Sequence, residues 1–251
     1  MTSKTEKRAE NSRPDGRALE IRDLTFAWDN QQAPLRYPDL TLPAGEHLFL
    51  QGPSGSGKST LMSLIGGLIL PSSGSVQVLG TDTASLSAGQ RDRFRANHIG
   101  VIFQQFNLVP YLNPLDNVLL PCRLSQKRRN RAQPTPAEQA DFLLDALGIP
   151  ANHRRRPVTR LSVGQQQRVA AARALIGTPE LILADEPTSA LDTDNRDRFI
   201  ELLLQLAAKQ QSSVVFVSHD QGLAGRFDHQ MALQPAVQSR PTPQTDPEAA
   251  Q

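Results

Sequence analysis

The chain has 251 residues, of which 38% are hydrophobic and 21% charged, as expected for a globular protein with a full core. Its 27 Lys and Arg against 25 Asp and Glu give a net charge of +2, so no overall field favours nucleic acid as a partner. The longest apolar run, residues 61–70, is far shorter than the roughly 20 residues that cross a bilayer. The polar N-terminal residues contain no signal-peptide core, and the single cysteine, Cys122, cannot form an internal disulfide. We therefore expect a cytoplasmic protein.

Short apolar runs alternate with amphipathic stretches along the chain. The apolar runs predict strands over residues 19–26, 47–52, 75–80, 99–104, 180–186 and 213–219. The amphipathic stretches predict helices over residues 58–69, 88–95, 137–147, 164–176 and 194–209. This alternation predicts an α/β fold.

The domain limits follow from composition and from one strand-free region. Residues 1–17 and 238–251 are polar and poor in large apolar side chains, so we predict two mobile tails around a folded domain at 18–237. No strand is predicted between about residues 105 and 179, which indicates a helical subdomain inserted into the sheet domain. Within that region, the basic run at 127–131 is predicted to be a mobile surface loop.

A glycine-rich stretch follows the strand predicted at 47–52 and precedes the helix predicted at 58–69. It has the spacing G-x-x-x-x-G-K-[ST] of a phosphate-binding loop, and its members are Gly52, Pro53, Ser54, Gly55, Ser56, Gly57, Lys58, Ser59 and Thr60. Its glycines let backbone N–H groups point at phosphate oxygens, and the helix start adds partial positive charge. We expect Lys58 to reach the β and γ phosphates and Ser59 to bind Mg²⁺. The alternative is a glycine-rich turn without a ligand.

A second motif is LILADEPTSALD, residues 181–192, in which an apolar strand ends in two adjacent acids. Asp185 suits a ligand in the magnesium shell, and Glu186 suits the residue that orients or deprotonates an attacking water. The alternative is that both carboxylates simply face solvent. Together with the phosphate loop, these acids predict a P-loop NTPase core.

These motifs, together with five further elements in the same order, resemble the ATP-binding subunits of ABC transporters from about residue 19 to residue 234. The five elements are Trp28, Gln104 in VIFQQF, the signature LSVGQ at 161–165, the loop at 189–192, and His219. The resemblance implies an ABC ATPase that uses ATP and Mg²⁺. It also implies that Trp28 stacks on adenine, that Gln104 joins the metal site and catalysis, and that His219 contacts the γ phosphate. Trp28 has an alternative as a packing residue.

The same resemblance implies a head-to-tail dimer with a second copy of the chain or with a close relative of it. The signature residues Ser162, Gly164 and Gln165 would then bind the ATP held by the partner's phosphate loop. Val163 stands where the family most often has glycine, and we predict a helical φ there, because a positive φ would disfavour valine.

The resemblance further implies a membrane permease as partner and a peripheral location on the cytoplasmic face of the inner membrane. Within the family, the sequence looks most like subunits that serve lipoprotein release and macrolide or peptide efflux. The permease would dock at residues 106–121, whose apolar side chains have internal packing as their alternative role. The basic runs at 127–131 and 153–157 can contact lipid headgroups or nucleic acid, or can be solvated helix ends and loops.

Three other functions compete with transport. One is an ATPase that regulates an envelope process through a membrane protein, and sequence does not exclude it. Another is a repair or translation ATPase. The sequence speaks against it, because repair members insert a long coiled coil and translation members carry two phosphate loops, and this sequence has neither feature. The third is a small-molecule kinase, which would lack the signature and the downstream histidine. We expect no nucleic-acid partner.

Overall fold

The computed structural model describes residues 16–28, 34–189 and 191–234. The strands in these ranges are β1 Arg17–Phe26, β2 Leu35–Arg36, β3 Leu40–Pro43, β4 His47–Gln51, β5 Ser73–Val78, β6 Thr81–Asp82, β7 Ile99–Ile102, β8 Leu181–Asp185, β9 Ser213–Val217 and β10 His229–Ala232. The helices are α1 Lys58–Ile65, α2 Ala88–His98, α3 Pro114–Leu124, α4 Gln126–Arg131, α5 Pro136–Ala146, α6 Val163–Leu175 and α7 Thr193–Lys209. Strands and helices alternate, so the predicted α/β class is confirmed.

Two sheets form the framework. Five parallel strands have the order β10-β4-β9-β8-β7. The other sheet is antiparallel, in the order β2-β1-β5-β6, and β3 also pairs with β1. The parallel strands β4, β8 and β9 are apolar on both faces because both faces of that sheet are covered.

The parallel sheet separates two apolar cores. One face packs against α3, α5, α6 and α7, and its sheet residues are Phe49, Ile102, Ile182, Ala184, Val214 and Phe216. The other face packs against α1 and the antiparallel sheet, and its sheet residues are Leu48, Leu50, Ile99, Leu181, Leu183, Val215, Val217 and Met231. Alternate residues of one strand therefore serve different cores, as the two-residue period of a strand requires.

Helices fill the chain between β7 and β8. This segment contains α3, α4, α5 and α6 and no strand among its described residues, all of which lie within 34–189. Asn113 caps α3 by accepting a hydrogen bond from the Asp116 amide, and Pro114 occupies the first helical position. The subdomain limits of 105–179 stay a prediction.

Two predicted segments differ from the structure. The predicted mobile loop at 127–131 was wrong, because these residues belong to α4, where Arg128 is buried. The first helix, predicted to reach residue 69, ends at Ile65, because Gly66 and Gly67 follow and Gly67 has the left-handed φ of +64°.

The ends of the chain fall mostly outside the described residues. The predicted tails at 1–17 and 238–251 do so except for Gly16 and Arg17, and Arg17 already belongs to β1. Within residues 16–28, 34–189 and 191–234, no helix combines the length and the apolar character that a bilayer crossing demands.

Candidate active site

The carboxyl ends of four neighbouring parallel strands gather most of the predicted site residues. The phosphate loop follows β4, His219 lies two residues after β9, Asp185 ends β8, and Gln104 lies two residues after β7. Because the strands are parallel and adjacent, these side chains share one edge of the sheet. The topology thus joins motifs as far apart in sequence as Gly52 and His219.

The phosphate loop curls around the amine of Lys58. Gly55 and Gly57 have left-handed φ values of +78° and +90°, which glycine adopts without steric cost. Lys58 is buried, and its Nζ donates to the carbonyl oxygens of Gly52 at 2.8 Å and Pro53 at 3.0 Å. The loop therefore encloses a cation, and its shape fits a phosphate group.

The start of α1 offers further polar groups to a phosphate. Ser56 is buried, and its hydroxyl has no hydrogen-bond partner among the described residues. Gly57 is the N-cap of α1 and supplies no side-chain cap, so the first N–H groups of the helix remain available. Pro53, Ser54 and Gly55 are exposed at the rim of the loop.

The carboxylate of Asp185 lies beside the phosphate loop. The Ser59 hydroxyl lies close to it. Burial raises the pKa of Asp185, the charge of Glu186 adds to this, and the Ser59 hydroxyl and Lys58 oppose it. A half-buried carboxylate next to a hydroxyl is a hard oxygen donor set, and it fits Mg²⁺. A cation bound there would stabilise the carboxylate.

Glu186 adopts a different geometry from its neighbour. Its φ of +44° lies in the left-handed region, and its amide donates to the Val217 carbonyl oxygen at 3.1 Å. The His219 Nδ1 lies 3.9 Å from the Glu186 Oε2. Both residues line one open cavity, whose other walls are Thr188, Ser189, Leu191, Arg196, Ser218 and Asp220. This cavity is wide enough for water beside a carboxylate.

Gln104 is exposed on the loop that leaves β7. Phe106 and Asn107, which lie two and three residues further on, have left-handed φ values of +58° and +45°. Their carbonyl oxygens accept hydrogen bonds from the Arg173 guanidinium of α6 at 2.6 and 2.7 Å. Arg173 was not predicted as a site residue, since only the folded chain brings it to this loop. It ties the Gln104 loop to the helix that begins with the signature.

The signature forms the N-terminus of α6. The Ser162 hydroxyl accepts from the Gln165 amide at 3.3 Å, and the Gln165 Oε1 accepts from the Ser162 amide at 3.1 Å. This reciprocal capping box fixes the start of the helix. Val163 is helical, as predicted, and is 49% exposed. His153 was not predicted, and its Nδ1 lies 3.2 Å from the Gln165 Nε2.

Trp28 is separate from this group. Its side chain is 66% exposed and packs edge-on against Phe26 with ring centroids 4.9 Å apart. Residues 29–33, which follow it, lie outside the described residues, as does Ala190 in the predicted loop at 189–192. Adenine stacking by Trp28 stays a prediction.

Comparisons with known proteins agree with this arrangement. The family model for ABC transporters matches residues 35–189. The lipoprotein-releasing system ATP-binding protein LolD of Anaeromyxobacter dehalogenans is 46% identical over 195 residues, which are 78% of this chain and 80% of that protein. The macrolide export ATP-binding/permease protein MacB of Rhodopseudomonas palustris is 43% identical over 203 residues, which are 81% of this chain but 30% of MacB.

A solved structure agrees as well. The ATP-binding cassette MJ0796, a dimer in a post-hydrolysis state bound to ADP and Pi, has a TM-score of 0.73 and 33% identity, covering 88% of this chain and 97% of that one. The predicted fold and the predicted ATPase activity are confirmed by these likenesses. The chain belongs to the ABC transporter family, as an ATP-binding subunit that hydrolyses ATP.

Proposed function

We propose that two copies of this chain close head to tail around two ATP molecules and thereby drive a membrane permease. The observation that carries this proposal is the start of α6, where Ser162 and Val163 are exposed and the first N–H groups lack helical partners. Such a helix start attracts an anion. Because this chain has one phosphate loop and one signature, head-to-tail pairing gives two shared sites about a two-fold axis.

The residues of each shared site have different roles. Lys58 and the loop amides hold the β and γ phosphates, while Ser59, Asp185 and Gln104 hold Mg²⁺. When bound there, Mg²⁺ would supply positive charge that offsets the charge of the phosphate oxygens. Glu186 accepts the hydrogen bond of the attacking water and orients or deprotonates it, and His219 contacts the γ phosphate. Ser162, Gly164 and Gln165 contact that phosphate from the partner subunit, and Trp28 stacks on adenine.

The nucleotide also drives the motion. ATP with its γ phosphate binds the closed dimer better than the open one, so binding closes the pair and hydrolysis reopens it. A shift from 1:99 to 99:1 needs about 5.5 kcal/mol of differential binding, and two shared nucleotides can supply this.

We place the permease contact at residues 106–121. The side chain of Asn117 is buried, donates to the Val109 carbonyl oxygen at 3.1 Å and accepts from the Val109 amide at 2.8 Å. This brace holds the loop whose Tyr111 is 85% exposed. Arg173 braces the other end of the same loop next to Gln104. A contact there is adjacent to the residue assigned to the metal site.

The likeness to LolD and MacB supports a permease of lipoprotein release or macrolide export and a peripheral location at the inner membrane. The alternative, an ATPase that regulates a membrane protein without transport, uses the same surface.

Purification from detergent-solubilised membranes tests the proposal. We expect the wild-type chain to retain an integral membrane protein and Tyr111→Ala to lose it, since the variant removes the most exposed aromatic side chain of the loop. The matched control is Phe142→Ala, which removes a 58% exposed aromatic of α5 outside this segment and should retain the partner. Association with ribosomes or DNA instead of a membrane protein would contradict the proposal.

A further inference from the structure

We propose that Tyr37 is a positioning residue that sets the phosphate loop for nucleotide binding. This inference rests on the proposed nucleotide site at the loop. Tyr37 follows β2, is only 6% exposed, and its hydroxyl donates to the Gly57 carbonyl oxygen at 3.1 Å. The Thr60 hydroxyl lies close to the same phenolic oxygen. One side chain from outside the loop therefore contacts it on both sides of Lys58.

Tyr37 is itself held firmly. Its amide donates to the Leu24 carbonyl oxygen of β1 at 3.0 Å, and its ring belongs to the core between the two sheets. The register of β1 and β2 pairs Phe26 with Leu35, two residues before Tyr37. The hydroxyl is therefore presented by a rigid strand pair.

Two side chains pack closely against Gly57. A Cβ atom there would lie 2.9 Å from the Tyr37 hydroxyl oxygen and 3.0 Å from the Leu35 Cδ1, and the φ of Gly57 is +90°. The positive φ favours glycine at this position, and any larger side chain would also have to displace the side chains of Leu35 and Tyr37. The conformation of the loop thus depends on Leu35 and Tyr37 as well as on the loop's own sequence.

The bond to Gly57 fixes the direction of a phosphate-binding group. A trans peptide is planar, so the Gly57 carbonyl and the Lys58 N–H point in opposite directions. The Gly57 carbonyl oxygen also accepts from the Leu61 amide at 2.8 Å, within α1. With both acceptor positions of this oxygen in use, the Lys58 N–H points away from the helix, toward the space for phosphate. Because this orientation exists before binding, less ordering is required when the nucleotide arrives.

The hydroxyl keeps its proton under ordinary conditions. Burial raises the pKa of Tyr37 to about 12, although the Thr60 hydroxyl opposes the shift. Tyr37 therefore remains a donor to Gly57 across the neutral range.

Tyr37→Phe removes only the hydroxyl and keeps the ring. We expect the dissociation constants of ATP and ADP to rise roughly 3- to 10-fold, since one loop peptide loses a hydrogen bond. The KM for ATP should rise in parallel, while kcat at saturating ATP stays within about twofold, because Glu186 and His219 are untouched. Nucleotide binding by calorimetry and steady-state phosphate release give both quantities.

Ser212→Ala is the matched control. Ser212 is buried at the opposite end of the parallel strands, and its hydroxyl donates to the Pro179 carbonyl oxygen at 2.5 Å. This variant should lower the melting temperature as Tyr37→Phe does, but leave the affinity for both nucleotides unchanged. Equal loss of affinity in both variants would mean that Tyr37 is merely structural and would overturn the inference.

Thr60→Val approaches the same network from the loop side. If Tyr37 acts through it, the double variant Tyr37→Phe/Thr60→Val should bind ATP better than the product of the two single effects predicts. Lys58→Ala separates the inference from the proposed function. Unchanged affinity in Tyr37→Phe with lost binding in Lys58→Ala overturns the inference and leaves the nucleotide site intact, whereas a wild-type chain that binds no ATP overturns both.

Discussion

Asp185 and Glu186 are adjacent in sequence but occupy different surroundings. Asp185 ends β8, and its carboxylate lies close to the Ser59 hydroxyl of the phosphate loop. Glu186 has a left-handed φ of +44° and lies in the open cavity with His219. The change of backbone direction at Glu186 therefore leaves the Asp185 carboxylate at the proposed metal site and the Glu186 carboxylate at the proposed site of the attacking water.

Glu186→Gln tests this assignment. The amide keeps the size of the side chain but cannot take a proton, so we expect ATP binding to persist while turnover falls roughly 10²- to 10⁴-fold. Because hydrolysis no longer reopens the pair, light scattering should detect a stable dimer with ATP and Mg²⁺. The control is Glu201→Gln, an exposed glutamate of α7, which should behave as wild type. A monomer at saturating ATP would contradict the account.

Site residues could be predicted from the sequence where the chemistry is contiguous along the chain. The phosphate loop, Asp185 with Glu186, and LSVGQ each carry their own local pattern. Tyr37 was missed because its partner Gly57 is 20 residues away, and Arg173 because its partner Phe106 is 67 residues away. Neither tyrosine nor arginine has a local signal for such a role, so only the packed structure reveals it.

At the scale of elements, the basic residues of α4 led to a wrong prediction of its structure. Its run of basic residues predicted a solvated loop, yet Arg128 is buried and donates to the carbonyl oxygens of Ile176 at 2.8 Å and Ala174 at 2.6 Å. These carbonyls lie at the C-terminal end of α6, where a cation is favourable. Burial lowers the pKa of Arg128 to about 10, which still leaves it charged at neutral pH. Arg128 thus fastens α4 to the signature helix.

Glu180 fastens two helices to the start of β8. Its Oε1 accepts from the Arg131 Nη2 of α4 at 2.8 Å, and the His98 Nδ1 at the end of α2 lies 3.2 Å from Oε2. Burial alone would raise the pKa of Glu180, but His98 and Arg131 outweigh it and lower the pKa from 4.5 to about 2.

The lowered pKa makes folding sensitive to acid. A carboxylate with a lower pKa in the folded state contributes stability that is complete above its unfolded pKa of 4.5 and is lost as pH falls toward about 2. Between those values, the free energy of unfolding should fall less steeply in Glu180→Gln than in the wild type, as measured by urea denaturation at each pH. Glu201→Gln, whose carboxylate is exposed, should follow the wild-type curve. Parallel curves for all three proteins would contradict this assignment.

At the scale of the whole molecule, pairing over long distances was the hardest feature to predict. The six strands predicted from apolar runs all exist, but their division into a parallel and an antiparallel sheet depends on partners far along the chain. The strand β10 was missed because four residues with two polar members give a weak signal. It nevertheless lies beside β4, and the carbonyl oxygen of Leu233 after it would be 2.8 Å from a Cβ at Gly52.

The parallel sheet also explains how one nucleotide site can influence the helical region. Its carboxyl edge carries the phosphate loop, Asp185 and His219, and the loop after β7 carries Gln104 at the same edge. Arg173 joins that loop to α6, whose first residues are the signature. Gln104, which is proposed to join the metal site of one subunit, is therefore connected through Arg173 and α6 to the signature residues that are proposed to bind the partner's ATP.

The central claim is that each complete site is shared by two copies of the chain, and a mixing experiment tests it most directly. Lys58→Ala lacks the phosphate contact and Ser162→Arg blocks the signature, so each variant alone should hydrolyse almost no ATP. Mixed in equal amounts, half of the dimers pair the two variants and each such dimer contains one intact site, so about a quarter of the wild-type activity should return. If native mass spectrometry detects mixed dimers and no activity returns, the shared site is contradicted.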